Sequence, residues 1–158
     1  MPPGQKPRSL STHLSTYLTM FNSASIILVI DRDTFSSATL SAEIRKLGLA
    51  KSIVCLRSSS EALAYLEKQQ NCGYPFPKVI FYNPHKSDMN QGEFLDTFRV
   101  KFSKHCDCKM ILLEEKNDES LGHHLIEDSL IDCELRKPIS SGQLLRLLEK
   151  EMKVHVPR

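Results

Sequence analysis

Apolar and polar positions along the chain fall into two alternating rhythms. Short apolar runs of strand length occur at Ile26 to Ile30, Ser52 to Leu56, Val79 to Tyr82, Met110 to Leu113 and Cys133 to Arg136. Between them, apolar residues recur at three- and four-residue steps, the spacing of a one-sided helix. Leu40, Ile44 and Leu47 mark the first such face, with Asp33 or Thr34 placed to cap it and Gly48 to end it. Ser58 and Glu61 form a capping box ahead of a helix carrying Leu63 and Leu66. Phe94, Phe98 and Phe102 define a third helix, residues 119 to 130 a weaker fourth, and Leu144, Leu145, Leu148 and Met152 a last one. Parallel strands need crossovers, and those crossovers are right-handed. Five such units therefore predict an α/β fold: a flavodoxin-like, doubly wound, five-stranded parallel sheet in three αβα layers.

Residues 1–24 break the rhythm. Pro2, Pro3, Gly4 and Pro7 precede a Ser/Thr-rich stretch in which Leu10, Leu14, Leu18 and Phe21 keep helical spacing. The expected organisation is an N-terminal arm over 1–24, partly disordered or a short amphipathic helix, a domain over 25–153 and a tail over 154–158. At 158 residues the chain is about one domain. A charged fraction of 25% and a net charge of +2 nominate neither nucleic acid nor a membrane surface as partner. With no apolar run near the ~20 residues of a membrane span and no signal-peptide core, a cytoplasmic protein is expected. Five cysteines, an odd number, read as reduced thiols, with Cys55 and Cys133 as small core residues.

The strand ends carry the chemistry. The first run ends in Asp31-Arg32-Asp33, the third in Asn83-Pro84, the fourth in Glu114-Glu115 and the fifth in Lys137-Pro138. Open α/β sheets build their sites at that edge. Over roughly Ser25 to Met152 this layout resembles the receiver domain of two-component response regulators (CheY-like). The resemblance implies a phosphoacceptor aspartate at the place of Asn83, a second acid at the place of Arg32, a threonine or serine at Glu114 and an aromatic at Glu134. Lys137 alone matches in full. The loop Asn83 to Gly92 has Ser87 where the resemblance implies a proline, keeps Met89 and the small polar Asn90, and carries its glycine one place late.

An amide is neither anionic nor usefully nucleophilic, and magnesium sites are built from oxygen ligands, above all carboxylates. Asp31, Arg32 and Lys137 together carry one net positive charge where the family has a doubly negative site; Glu114 brings the sum to zero. The expected pocket is a network in which Arg32 and Lys137 pair with Asp31 and Glu114. Magnesium binding should then be weak or absent, Asp31 being the one candidate ligand. The function expected is that of a stand-alone degenerate receiver, not an enzyme, recognising a protein such as a sensor kinase or effector without phosphoryl transfer. Resemblance also implies a face made by the fourth helix, fifth strand and fifth helix, through which receivers can homodimerise. The alternatives are a phosphoacceptor that uses Asp88 or Asp31, and a domain that binds a small anion or nucleotide. His105-Cys106-Asp107-Cys108 lacks the second ligand pair of a zinc site, and His123-His124 reads as a solvated helix surface. No nucleophile triad, phosphate loop or internal repeat is present.

Overall fold

The computed structural model describes residues 25–104, 106–116 and 128–151. In chain order they form β1 (Ile26–Ile30), α1 (Thr34–Lys46), β2 (Ser52–Leu56), α2 (Ser59–Asn71), β3 (Val79–Tyr82), α3 (Gln91–Lys101), β4 (Lys109–Glu114), β5 (Ile131–Arg136) and α4 (Ser141–Glu151). The sheet is five-stranded in the order β2-β1-β3-β4-β5, and every pairing is parallel. The arm expected over 1–24, the tail over 154–158 and most of the helix expected over 119–130 lie outside the described residues. The last three residues of that expected helix, Asp128 to Leu130, form a turn, in which Ile131 N–H donates to the Asp128 carbonyl.

Local sequence explains where the helices begin and end. Asp33 caps α1 by accepting from the Phe35 and Ser36 amides at 3.0 and 3.1 Å, and Gly48, at φ +66°, turns the chain out beyond its end. At α2 the Ser58 hydroxyl accepts from the Glu61 amide, while the Glu61 carboxylate accepts from the Arg57 amide one residue earlier than in an ideal box. Ser140 and Gln143 make the reciprocal pair at the start of α4.

A strand turns alternate side chains to opposite faces, and here each face has its own core. Ile27 and Val29, Val79 and Phe81, and Ile111 and Leu113 pack against Leu40 and Ile44 of α1 and Leu144 and Leu147 of α4. Leu28 and Ile30, Ile80 and Tyr82, and Met110 and Leu112 pack against Ala62 and Leu66 of α2 and against Phe94, Phe98 and Phe102. β1 from Ile27 onward and the whole of β3 are buried; β2 and β5 are the edges and stay partly exposed. Cys55 therefore departs from expectation. It lies on edge strand β2 and is exposed, with its sulfur 3.1 Å from the Ser41 hydroxyl. Cys133 is half-buried against the first core.

One irregularity sets the register of β5. Met110 faces Ile131 and Ile111 faces Cys133, so Asp132 is an extra residue, whose carboxylate accepts from the Met110 amide at 2.8 Å. The bulge exchanges the faces of β5: Ile131 packs on the second core, Cys133 and Leu135 on the first.

Candidate functional site

Four side chains meet at the carboxyl edge of the sheet: Asp31, Asn83, Glu115 and Lys137. The ladder runs one residue past the strands, with Asp31 N–H donating to the Leu56 carbonyl, Asn83 N–H to Ile30 and Lys137 N–H to Glu114. The two-residue alternation therefore carries over. Asp31 follows Ile27 and Val29, Asn83 follows Val79 and Phe81, Glu115 follows Ile111 and Leu113, and Lys137 follows Cys133 and Leu135. All four continue the face of the first core.

The contacts are close and reciprocal. Lys137 Nζ lies 2.6 Å from Asp31 Oδ2 and 2.9 Å from Glu115 Oε1. The Asn83 side-chain N–H donates to the same two acids, at 3.2 Å to Asp31 Oδ1 and 2.8 Å to Glu115 Oε1. Its orientation is fixed from the other side, because Asn83 Oδ1 accepts from the His85 amide at 2.9 Å. Asp31 Oδ1 also accepts from the Asp33 amide. Asp31 and Asn83 are 2% and 4% exposed, so these charges and dipoles act with little help from water. Burial by itself would depress the Lys137 ammonium. Hydrogen bonds and charge from Asp31 and Glu115 outweigh it and hold the group above its usual value. Burial would likewise raise Glu115, but its bonds from Lys137 and Asn83, with charge from Lys137 and His85, hold it below.

Two residues of the expected network stand elsewhere. Arg32 and Glu114 have the opposite parity and continue the other face. Arg32 is exposed and donates to the Lys86 carbonyl at 3.2 Å. Glu114 faces Arg136 at 3.6 Å, on the strand pair where the two residues stand opposite each other. The acid that reaches the pocket from β4 is Glu115. The sequence held the signal for it: counting by twos from Ile111 through Leu113 gives 115, just as counting from Phe81 gives 83. With Arg32 removed and Glu115 in place of Glu114, the cluster holds two carboxylates and one ammonium, a net charge of −1.

These residues do not fit a magnesium ion. Asp31 Oδ1 and Oδ2 and Glu115 Oε1 are each engaged by nitrogen donors, and among the described residues no group of three or more His, Cys, Asp or Glu is arranged to hold a metal. Asp88 is also committed. Its Oδ1 accepts from the Ser59 amide at 2.9 Å at the amino end of α2, and a bond from the Ser60 side chain, with the backbone bonds there, holds its carboxyl below the usual range. Beside the cluster lies a groove of about 220 Å³ floored by Leu40, Leu113 and Ile139, with Phe35 81% exposed at its rim.

No protein-family model matches the sequence, and no curated protein does. Solved structures do. A two-component response regulator from Cytophaga hutchinsonii superposes with a TM-score of 0.70 at 21% identity, over 82% of this chain and 97% of that one. The chemotaxis response regulator CheY4 of Vibrio cholerae gives 0.61 at 18%, over 80% and 98%. The fold is that of a receiver domain. A longer two-component response regulator/GGDEF domain protein matches at 0.73 and 18% identity over 91% of this chain, which spans 55% of that protein. At these identities the likeness is one of receiver architecture. Among the described residues, no helix is long and apolar enough to cross a membrane.

Proposed function

We propose that the chain is a pseudo-receiver: a signalling module of two-component type that recognises a protein partner, a sensor kinase or an effector, without accepting a phosphoryl group. The observation that carries this reading is the Asn83 side chain. Its amide nitrogen donates to Asp31 and Glu115 together, and Lys137 bridges the same pair. In a working site a carboxylate attacks phosphorus and a divalent cation offsets the charge. Here a neutral amide stands at the nucleophile's place, and the charge is offset by an internal ammonium. The cluster locks one arrangement of the strand ends, where a phosphorylatable site would need two.

Asp31 does not serve as an alternative acceptor, because its lone pairs face Lys137, Asn83 and the Asp33 amide. Asp88 does not either, being the carboxylate that caps α2 from the loop. A net-negative cluster gives no support to binding of an anion or nucleotide, and magnesium is expected to bind weakly or not at all.

Incubation with acetyl phosphate and magnesium, followed by intact-mass measurement, tests the reading. The mass is expected to stay unchanged, and amide NMR spectra with and without millimolar magnesium are expected to superpose around Asp31. A stoichiometric gain of one phosphoryl group would overturn the proposal.

A further inference from the structure

From Thr34 to Ala42, α1 carries no charged residue, whereas the exposed face of α2 holds Glu61, Glu67 and Lys68. The buried stripe of α1 is Ser37, Leu40, Ser41 and Ile44. Opposite it the helical period sets Phe35, Thr39, Ala42 and Lys46 in one line, all exposed, Phe35 by 81%. The Thr39 hydroxyl donates to the Phe35 carbonyl at 2.9 Å, so this residue can lose water without leaving a donor unpaired. Phe35 and Thr39 also line the groove floored by Leu40, Leu113 and Ile139, and the line and the groove make one continuous strip. Charge is confined to the two ends of the helix. Asp33 caps it through Oδ1, and Arg45 and Lys46 close it, neither of them paired with a carboxylate among the described residues.

We propose that this strip docks a second copy of the chain, the two α1 helices packing antiparallel about a two-fold axis. The charges select the occupant and its direction. Turned end for end, the line meets itself with Thr39 against Ala42 of the second copy and Phe35 against Lys46 of the second copy. Small side chains at the crossing let the two backbones approach. The Lys46 stem lies across the Phe35 ring, with its ammonium in cation–π reach. Arg45 of each copy arrives at the groove beside Ser36 and Asp33 of the other, close to the cluster of Asp31, Glu115 and Lys137 with its net charge of −1. A parallel pair would set Arg45 and Lys46 against their own counterparts and Asp33 against Asp33, so repulsion excludes it. Every contact of the antiparallel pair occurs twice, which closes the assembly at two chains.

The inference goes beyond the pseudo-receiver reading and is independent of it, because it assigns no chemistry to Asn83; acetyl phosphate tests the one and oligomeric state the other. An interface of one helix against one helix falls at the low end of the size range, below roughly 1,200 Å², so association is weak and concentration-dependent. Sedimentation velocity of the whole chain is the test. The average mass is expected to climb from one chain toward two between dilute and millimolar protein, and to climb less at high salt, which screens Arg45 from Asp33. Ala42→Glu puts a bulky acid at the crossing while keeping a good helix former. It should weaken association about tenfold or more with the melting temperature of dilute protein unchanged. In amide NMR spectra of the wild type, dilution should move the signals of Phe35, Thr39 and Ala42 and leave those of β2 in place. A single chain at every concentration, a dimer that Ala42→Glu leaves intact, or dilution shifts confined to other elements would overturn the inference.

Discussion

Lys137 is the residue on which the charged cluster depends, because among the described residues it supplies the positive charge that Asp31, 2% exposed, requires. Replacing it with methionine keeps much of the volume and leaves a buried carboxylate unmatched. Such a loss costs about 3–5 kcal/mol, and urea unfolding of Lys137→Met at pH 7 should register it. Arg32, which the sequence alone places in the same network, is exposed and holds one carbonyl; Arg32→Ala should fall within about 0.5 kcal/mol of the wild type. Glu115 gives the pH dependence. Its folded pKa lies below the ordinary glutamate value of 4.5, so the stability it contributes is fully present above pH 4.5 and is lost as pH falls through the lower, folded value. Glu115→Gln removes that titration. Thermal melts of the two proteins should therefore differ at neutral pH and converge on acidification below 4.5; a constant difference down to acid pH would contradict the assignment.

Elements were legible wherever one face is buried and the other wet. The α3 stripe of Phe94 and Phe98, continued by Phe102, and the Asp33 and Ser58 caps all appear where periodicity and capping chemistry put them. Two features were not legible, for different reasons. Periodicity in β2 resembles that of a central strand, but an edge has one neighbour, which is why Cys55 emerges exposed. In β5 the bulge at Asp132 exchanges the two faces midway, so counting from Ile131 does not predict which side Lys137 takes. The Asp88 cap was also hidden, since it joins residues 29 apart in sequence. It ties the loop from Asn83 to Asn90 to the amino end of α2, alongside the 2.6 Å contact between the Ser59 and Ser87 hydroxyls. Asp88→Ala should cost about 1 kcal/mol, as loss of a helix cap does. The diagnostic readout is hydrogen exchange: protection should fall at the Ser59 amide and along that loop, while β1 and β3 keep theirs.

At the scale of the molecule, the described residues form a single sheet with a core on each face, and both cores are built from the same strands, so neither half can melt alone. A change at the sheet's edge is therefore read as global stability, which makes the pseudo-receiver proposal testable without phosphate. Asn83→Asp replaces the bridging amide with a third acid between Asp31 and Glu115, at positions now 3.2 and 2.8 Å from an N–H donor. Three carboxylates against one ammonium repel, and the variant should lose about 3 kcal/mol in the absence of divalent cations. The same change releases oxygen ligands on Asp31 and creates new ones, the composition a magnesium ion accepts. Binding to the folded state alone restores stability as RT ln(1 + [L]/Kd), about 2.7 kcal/mol at a hundredfold excess over Kd. The melting temperature of Asn83→Asp should thus climb with magnesium while that of the wild type stays flat. A wild-type Tm that climbs in parallel would mean that Asn83 and Lys137 do not stand in for the ion, and that the amide at position 83 closes nothing.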